Sequence, residues 1–483
     1  MSSFLTLKRL PSLLARYHSP HITRRAFSVL TETVNDTKLP QFMVGTTNGF
    51  LPRQDPLAEL PKEFSRLESL LQRMPIRRPD GTPGLLASGQ FGDAVREELP
   101  LYNVDHIEDQ QLLSALFRDY TFAASAYLLE PCDILYREFK DYGLGRSVLP
   151  ANIAVPLTKI AQKIHSKPFM EYALSYALCN YKRINPLGGL TYDNLALVRT
   201  FAGSASEKGF VLNHVTMVAH SPHLVKHAMG ALNAAAAKNR KKFDQEMASL
   251  NDTYNDVNEE MEMMWSRSLP EDYIKFRTFI MGTKNQPMFP NGVIYEGVSD
   301  QPMTHRGESG ANDSMVPLGD NLLQITELMP ENPLTLVLKD FRSYRPTNHM
   351  EFLEHVQERA KQVQLKAFAM QDPNSAAIYL ANVDQIRAFR HRHWNFTKEY
   401  IIKHTEHPVA TGGSPIVTWL PNQLDAVLGL LNEVAASIDR SRLTAENKER
   451  VQEISKRAEA QRRVLNREVA QLKQRFKNQD KTE

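Results

Sequence analysis

The feature that most constrains this chain is a helical repeat of apolar residues along most of its length. Apolar side chains return every three or four residues, which places them on one face of an α-helix. No segment alternates apolar and polar residues for long enough to predict a sheet, and no internal repeat is present. We therefore predict an all-α fold with helices at Leu57–Arg73, Ile107–Leu129, Val155–Tyr181, Pro222–Lys238, Lys241–Arg267, Glu271–Met281, Leu318–Leu328, Met350–Phe368 and Ala376–His404.

The segment between Lys284 and Val316 departs from this pattern. It is rich in Gly, Pro, Asn, Ser and Asp, which predicts a long irregular connection. Connections of that length inside a helical domain usually carry function.

Composition narrows the class of protein. The 483 residues are 42% hydrophobic and 23% charged, which is ordinary for a globular protein with two domains or one large helical domain. The net charge of +3 gives no global reason to expect nucleic-acid binding. The two cysteines, Cys132 and Cys179, form no CxxC pair, so we expect neither a disulfide framework nor a thiolate metal site. No apolar run reaches roughly 18 residues, so we expect no membrane span.

Residues 1–31 differ in composition from the rest of the chain. Serines and spaced leucines and phenylalanines accompany basic side chains, and no acidic residue precedes Glu32; the basic residues are Lys8, Arg9, Arg16, Arg24 and Arg25. This composition is typical of a mitochondrial presequence, which must form a basic amphipathic helix. We expect import into the mitochondrion. A disordered basic tail on a cytoplasmic protein is the alternative.

Two histidines of one predicted helix, His391 and His393, fall on different faces. His391 shares its face with Arg387 and Asn395, a polar set that predicts exposure to solvent. His393 shares its face with mostly apolar residues: Ile386, Phe389, Phe396, Thr397 and Tyr400. Only His393 is therefore predicted to be buried.

Arg390 lies one turn before His393 on the same side of that helix. A buried neutral imidazole with a cation one turn away suits a haem iron ligand whose arginine meets an acidic group of the macrocycle. The alternative is a core histidine that only forms a hydrogen bond. A zinc site at His220, His223 and His227 is a weaker alternative, because Ser221 and Pro222 start a helix that excludes His220.

Several segments resemble the indoleamine 2,3-dioxygenase family, in a form that is fungal-type in its extensions. The helix around His393 resembles the family's proximal haem region. The other matching segments follow in family order between about Leu39 and Leu420: Val148–Pro156, Tyr176–Tyr181, Ser206–Phe210, Tyr273–Phe279, Tyr295–Gly297, Glu308–Ala311, Phe341–Pro346 and Thr411–Gly413. The resemblance implies small and large helical domains that sandwich a haem b, with His393 as the iron ligand.

The resemblance also implies the domain boundaries. The small distal-side domain would span residues 39–200 and the large haem-binding domain residues 201–420. Residues 421–483 would form an additional C-terminal helical extension, apolar at first and charged from Ser441 onwards. That extension is open to three interpretations: a short coiled coil, an antiparallel clasp on the body, or a single solvated helix.

By the same resemblance, Tyr176, Ala177 and Phe210 contribute to an indole pocket on the distal side of the haem. His214 falls where the indoleamine enzymes often have a serine, whereas the related tryptophan 2,3-dioxygenases place a histidine on the distal side. An imidazole there could hydrogen-bond an indole N–H or dioxygen, which makes His214 the catalytic candidate. A partly exposed helix histidine is the alternative. Ser206 is the expected N-cap of this helix.

Arg277 matches the family arginine that pairs with the substrate carboxylate. A guanidinium group suits that role because it offers a bidentate fork and stays charged. Five residues earlier the family commonly has a pocket aromatic, whereas this chain has Asp272. The acid either neutralises Arg277 or caps the helix after Pro270.

Two loops complete the site that the resemblance implies. Ser309 and Gly310 resemble a segment that passes over the haem face and leaves room for substrate. Thr411 and Gly412 match a flexible glycine loop that closes on the substrate ammonium and carboxylate. Asp320 matches an acid near a haem propionate, the same part of the cofactor that Arg390 would meet.

The function implied is haem-dependent insertion of both atoms of dioxygen across the indole C2–C3 bond of L-tryptophan or a related indoleamine. The product would be N-formylkynurenine, on the kynurenine route towards NAD, and an electron donor would reduce ferric haem. One alternative is a haem protein of this fold with weak or no dioxygenase activity. The other is a helical scaffold protein without a cofactor.

Overall fold

The computed structural model describes residues 30–33, 36–325, 340–404, 410–413 and 416–479, and these residues are mainly helical. Their α-helices are α1 (Ser65–Arg73), α2 (Leu85–Ser88), α3 (Phe91–Glu98), α4 (Gln110–Phe139), α5 (Ala151–Lys163), α6 (Ala205–Val218), α7 (Ser221–Ala236), α8 (Arg240–Glu262), α9 (Met264–Arg267), α10 (Pro270–Arg277), α11 (Met315–Leu322), α12 (Thr347–Gln362), α13 (Leu365–Met370), α14 (Pro373–Phe396), α15 (Ile416–Ser437) and α16 (Ala445–Gln479). The predicted all-α class is confirmed. Most of the predicted presequence, residues 1–29, and the end of the predicted helix Leu318–Leu328 lie outside the described residues.

Four short strands accompany the helices in the described part of the chain: β1 (Val148–Leu149), β2 (Tyr181–Arg183), β3 (Leu195–Leu197) and β4 (Ile294–Tyr295). β1 pairs with β4 in parallel, and β2 pairs with β3 in an antiparallel hairpin. The first pair ties the irregular connection predicted from Lys284 to Val316 onto the segment before α5. These strands are too short to form a sheet layer.

The predicted helix Val155–Tyr181 is wrong as a continuous element. Helix α5 ends at Lys163, and a short π-helix (Tyr172–Tyr176) follows an irregular stretch that contains Pro168. Proline cannot donate a helical hydrogen bond, which favours the break. The Glu171 carboxylate then accepts the N–H of Ala173 at 3.0 Å and caps the new turn.

The N-cap of α6 is also two residues before the predicted residue. The cap is Ser204, whose hydroxyl oxygen accepts the Glu207 N–H at 3.1 Å, and Ser206 lies inside the helix. The Glu207 carboxylate reaches back to accept the N–H groups of Phe201 and Ala202 at 2.7 and 2.8 Å. The side chains of Ser204 and Glu207 therefore bond backbone N–H groups inside and before the helix, and these bonds fix the position of the first turn of α6.

A stack of buried aromatic rings connects the first part of the chain to the centre of the molecule. The ring of Phe201 lies 4.6 Å from Phe122 on α4 and 5.0 Å from Phe279, which follows α10. Tyr176 stacks on Phe122 at 5.9 Å. The π-helix is thereby held against both α4 and the end of α10. Among the described residues, no helix combines the length and apolar character needed to cross a membrane.

Helices α15 and α16 form a hairpin that packs on α14. Four apolar residues at helical spacing along α16 are buried: Val451, Ile454, Ala458 and Leu465. Polar contacts follow the same line, from Arg457–Asp384 at 2.9 Å to Glu468–Trp394 at 2.9 Å. Residue numbers rise together along these contacts, so α16 runs parallel to α14. The C-terminal extension is therefore a clasp on the body, but its last helix runs parallel to α14 rather than in the antiparallel direction expected.

This clasp overturns one prediction, that the His391 face of α14 is exposed to solvent. Arg387 and Asp384 on that face are 5% and 7% exposed, and Arg387 donates a hydrogen bond to Gln461 at 2.9 Å. Burial and the nearby Arg387 lower the pKa of His391 to about 4. The face is polar because it meets polar residues of α16, which a local pattern cannot distinguish from contact with water.

Candidate active site

A large cavity, here called the central cavity, lies between α6, α14 and the loops around Glu308 and Thr411. Its interior offers about 160 Å³ to the centres of water-sized molecules, and it opens to solvent. Its wall is mainly aromatic and aliphatic and consists of Phe210, Asn213, His214, Met217, Met261, Met264, Tyr273, Glu308, Ser309, Gly310, Ala311, Asp313, Phe389, His393, Phe396, Thr397, Tyr400, Ile401, Ala410, Thr411 and Leu420. Such a wall suits a flat apolar ligand.

His393 extends from α14 into this cavity, with Phe389 and Phe396 of the same helix beside it. Burial, together with the nearby Arg390 charge, lowers the pKa of His393 to about 4. The imidazole is therefore neutral at neutral pH and keeps a nitrogen lone pair. No described residue forms a hydrogen bond with its ring. The side chain itself is only partly buried, because it faces the open cavity. A neutral imidazole that faces a cavity is the form of histidine that binds a metal.

A second space, here called the arginine cavity, adjoins the first. His393 lines both cavities, and the arginine cavity adds basic residues to its wall: Arg342, Arg345 and Arg390. Arg390 Nη2 donates to Asp320 Oδ2 at 2.6 Å. Burial and the neighbouring Arg342 charge lower the pKa of Arg345 to about 10, so Arg345 still carries its charge at neutral pH.

The arginine cavity has unused hydrogen-bonding atoms. Arg390 Nε and Nη1 are buried without a partner among the described residues, as is Asp320 Oδ1. Buried donors without partners indicate a ligand that supplies acceptors. The predicted cofactor residues Arg390 and Asp320 are thus brought together beside His393. Their pairing with each other was not predicted.

Phe210 and His214 lie one turn apart on α6, and both line the central cavity. Their ring centroids are 5.2 Å apart, and His214 Nδ1 lies 3.3 Å from the Tyr172 hydroxyl. Burial, with a smaller contribution from His393, lowers the pKa of His214 to about 4. The structure therefore places a neutral imidazole in the cavity, held by a tyrosine of the π-helix.

Tyr176 and Ala177 lie one layer behind the cavity wall. Both are buried, and neither is among the lining residues. The Tyr176 ring packs 6.4 Å from Phe210, so it supports the wall from behind. Phe210, in contrast, forms part of the wall itself.

Arg277 also lies behind the wall rather than on it. It is completely buried at the end of α10, and Tyr273 stands on the cavity side. Burial raises the pKa of Tyr273. The Arg277 guanidinium, which forms a hydrogen bond with the Tyr273 phenol, opposes part of that rise.

Asp272 does not engage Arg277. Its carboxylate accepts hydrogen bonds from Ser206 Oγ at 2.7 Å and Lys275 Nζ at 2.5 Å. These hydrogen bonds, foremost the one from Lys275, hold the pKa of Asp272 below its ordinary value. Neither of the two roles considered for this acid is observed, because Asp272 bonds side chains rather than Arg277, and the start of α10 has no side-chain cap hydrogen bond.

The two predicted loops meet at the cavity. Ser309, Gly310 and Thr411 line it, and Gly412 lies just behind, where an added Cβ would be 3.4 Å from the Ser309 Cβ. Thr411 Oγ1 donates to the Glu308 carbonyl at 2.6 Å. Arg306 Nη1 donates to the Gly412 carbonyl at 2.7 Å. Together these bonds hold the glycine loop against the wall.

Several wall residues were not assigned a role from the sequence. Tyr273 and Glu308 stood inside quoted segments without a role, and the pair Arg342 and Arg345 stood inside the segment Phe341–Pro346. The spacing of three between those arginines in a turn-rich segment is the one local signal that could have marked them. The cavity methionines carry no such signal.

The zinc alternative finds no support at its proposed ligands. His227 Nδ1 lies 2.7 Å from Glu246 Oε2, and His220 is outside α7 as predicted. Across the residues that the structure describes, no group of three or more metal-binding side chains occurs.

The chemistry of the two cavities fits a haem. His393 offers a neutral nitrogen, the arginine cavity offers buried cationic donors for carboxylate groups, and the apolar wall suits a macrocycle. The aromatic wall around Phe210 and Tyr273 suits a second flat ligand.

Comparison with known proteins agrees with this geometry. A sequence profile described as indoleamine 2,3-dioxygenase matches residues 38–459. Indoleamine 2,3-dioxygenase 1 of Rattus norvegicus is 26% identical over 369 residues, which are 76% of this chain and 85% of the rat protein. Indoleamine 2,3-dioxygenase acdA of Aspergillus candidus is 24% identical over 421 residues, 82% of this chain and 97% of the fungal protein. A protein named myoglobin from Haliotis diversicolor is 24% identical over 372 residues, 76% of this chain and 90% of its own length.

Proposed function

This chain belongs to the indoleamine 2,3-dioxygenase family, and from that premise we propose that it converts L-tryptophan to N-formylkynurenine. Membership makes it a haem-dependent dioxygenase that acts on indoles, and the choice of L-tryptophan is the proposal. Both atoms of dioxygen are inserted across the indole C2–C3 bond, which breaks. The cofactor-free scaffold considered above is set aside, because the family depends on haem.

The observation that carries the proposal is the junction of the two cavities at His393. One cavity is apolar and aromatic, and the other is lined by arginines. A haem needs an axial nitrogen, cationic partners for its carboxylates and apolar contact for its ring, and all three meet at this junction. We assign the iron to His393 and the haem carboxylates to Arg390 and Arg345, with Asp320 beside them holding Arg390 through its hydrogen bond.

The haem supplies the iron that binds and activates dioxygen. The protein's own contribution is to position the indole and to exclude water. Phe210 and Tyr273 contact the indole ring, with Tyr176 and Ala177 behind them. His214 is neutral and has its Nδ1 beside Tyr172, which leaves Nε2 to hydrogen-bond the indole N–H or dioxygen.

The substrate carboxylate and the lid are assigned on the family resemblance. Arg277 provides the positive charge for the carboxylate, and its hydrogen bond to Tyr273 places it directly behind the cavity wall. Ser309 and Gly310 leave space beside the ring. Thr411 and Gly412 close the mouth. An electron donor keeps the haem reduced.

We place the reaction on the kynurenine route towards NAD, in the mitochondrion. The supporting observation is the basic, serine-containing composition of residues 1–31.

One assay tests the activity. The haem-loaded protein is mixed with L-tryptophan, dioxygen and ascorbate as reductant, and N-formylkynurenine is followed by its near-ultraviolet absorption. We expect one dioxygen consumed for each product formed. A protein that binds haem and L-tryptophan but forms no product would contradict the proposal.

A second candidate function is reversible dioxygen binding without substrate oxidation. The relative named myoglobin favours this second function, because the match covers 90% of that protein's length. The two functions differ in the same assay. A carrier forms a stable ferrous–dioxygen spectrum that L-tryptophan does not discharge, whereas a dioxygenase turns over.

A further inference from the structure

Glu308 is an acidic side chain on a cavity wall that is otherwise mainly apolar. It is 3% exposed and lies in the loop between α10 and α11. Its N–H donates to the Ile280 carbonyl at 3.1 Å, and its own carbonyl accepts from Thr411 Oγ1 at 2.6 Å. The backbone that carries this carboxyl group is therefore fixed from two sides.

No partner for the Glu308 carboxyl group exists in the part of the chain that the structure describes. No described residue donates a hydrogen bond to it, and burial is the sole cause that raises its pKa to about 8, so no described basic group offsets its charge. The ionisable groups that act on it or line the same cavity are acids, phenols and neutral imidazoles: Glu171, Tyr172, Tyr176, Tyr273, Tyr400, Asp313, His214 and His393.

An acid buried without a partner is costly, and protein interiors rarely keep one. Asp313 is the other acid among the described residues of the central cavity wall. Its Oδ2 accepts the N–H groups of Met315 and Val316 at 3.0 and 3.1 Å, while its Oδ1 has no hydrogen-bond partner among the described residues. Burial raises the pKa of Asp313, and these backbone donors and the Arg345 charge oppose that rise. Asp313 is thus partly compensated by donors and a cation, whereas Glu308 has neither within the described chain.

We propose that Glu308 binds the protonated amine of the substrate, so that the site selects indoles that carry a free side-chain amino group. This inference rests on the proposed function, because it concerns the ligand of the same cavity. An indoleamine presents an aromatic ring, an ammonium and, in amino acids, a carboxylate. The aromatic wall and Arg277 suit the ring and the carboxylate, and Glu308 supplies the missing counter-charge for the ammonium.

The proposal predicts a linked proton. An aliphatic ammonium stays charged below roughly pH 10. At pH 7 an empty site holds Glu308 largely protonated, because its pKa is about 8. Binding of an ammonium favours the carboxylate and releases this proton.

The test is a Soret titration of the haem-loaded protein with three ligands. Tryptamine carries only the amine, indole-3-propionate carries only the carboxylate, and L-tryptophan carries both. We expect Glu308→Gln to weaken tryptamine and L-tryptophan binding by about 10- to 100-fold, the usual range for a charge-assisted hydrogen bond. Indole-3-propionate should bind as well as before or better. The control Glu246→Gln removes an acid on α8 that bonds His227, away from the cavity, and should change none of the three.

A second measurement uses the unchanged chain and so does not depend on how a variant folds. Tryptamine affinity should rise as pH increases from 6 to 8, by up to about 10-fold per unit, whereas indole-3-propionate affinity should not. Burial also raises the pKa of Glu171 to about 8, but that carboxyl group caps the π-helix and affects both ligands alike. The difference between the ligands therefore reports Glu308.

Tryptamine binding that is independent of pH, or equal in Glu308→Gln and the parent, would overturn the inference. Failure of the proposed function gives a different result. In that case the parent forms no N-formylkynurenine, while the two ligands still differ in their pH dependence.

Discussion

His391 and His393 are two residues apart on α14, and both have a pKa lowered to about 4, yet they meet different surroundings. His393 faces the two cavities, whereas His391 lies under α16. We expect His393→Ala to lose stable haem binding and His391→Ala to keep it. The Soret band of each purified variant is the measurement. Equal loss in both variants would show that burial alone, and not the cavity, decides haem retention.

Arg277 separates an enzyme with a carboxylate clamp from a carrier of haem. Loss of a charge-assisted hydrogen bond in a desolvated site costs about 2–4 kcal/mol, which is roughly 30- to 1000-fold in kcat/KM. We expect Arg277→Ala to retain its haem spectrum and to lose L-tryptophan turnover by that factor.

Tryptamine lacks the carboxylate and is the internal control for Arg277→Ala, since its binding should change far less. Unchanged turnover of L-tryptophan would remove Arg277 from the site. Loss of haem would instead make it a structural residue, which its complete burial behind Tyr273 would explain.

The Glu308 carboxyl group also has a consequence for stability that depends on pH. Below pH 4.5 it is protonated in both the folded and the unfolded chain and contributes nothing. As pH rises from 4.5 to about 8, the unfolded chain releases this proton while the folded chain keeps it, which destabilises the fold. The glutamine of Glu308→Gln does not titrate, so the variant is not destabilised in this pH range. We expect the variant to gain free energy of unfolding over the parent, reaching on the order of 2–4 kcal/mol near pH 8.

Urea unfolding of both haem-loaded proteins at several pH values measures this difference. Glu246→Gln should behave in the opposite way. Burial raises the pKa of Glu246, but hydrogen bonds from His227 and Lys242 outweigh it and hold the pKa below its ordinary value. Replacing this carboxylate should therefore lower stability as pH rises through the acid range. A Glu308→Gln difference that does not change with pH would show that the carboxyl group is solvated.

At the scale of elements, the α15–α16 hairpin packs on α14, the helix to which we assign the haem ligand His393. Adjacent residues of α16 offer a matched pair, because Leu465 is 3% exposed and Val464 is 51% exposed. We expect Leu465→Ala to cost about 2–4 kcal/mol of unfolding free energy by leaving a cavity against α14. Val464→Ala should stay within about 0.5 kcal/mol.

The stabilities of the two variants are compared by their urea unfolding midpoints. Their rates of haem release show whether the loss of stability affects the cofactor. If the hairpin supports α14, Leu465→Ala should also release haem faster than Val464→Ala. Equal midpoints would mean that α16 is not coupled to the body in solution.

At the scale of the whole molecule, one prediction concerns residues 1–31. A fluorescent protein fused behind this segment should enter mitochondria, and the chain that starts at residue 32 should fold and bind haem as the full chain does. The physical reason is the basic, acid-free composition with spaced apolar residues, which import requires. Cytosolic fluorescence would exclude the targeting role. Replacing Arg24 and Arg25 with glutamate is the matched control, since it removes the charge and keeps the length.

The amino-acid sequence by itself determined the helical class and the sides of individual helices. Its 3.6-residue period placed His393 on the apolar side of α14, and Phe210 and His214 on one side of α6, as the structure shows. These properties are local, because neighbours three and four residues apart settle them.

Only the tertiary structure decided which residues reach the cavity and what covers each polar face. Arg277 and Tyr176 lie a layer behind the wall, while Tyr273 and Glu308 stand on it. The polar side of α14 meets α16 through contacts such as Arg457–Asp384, between residues far apart in the sequence. A polar side chain is satisfied equally by water or by a distant helix, so local spacing cannot tell the two apart. Which of the two occurs depends on how the fold brings distant segments of the chain together.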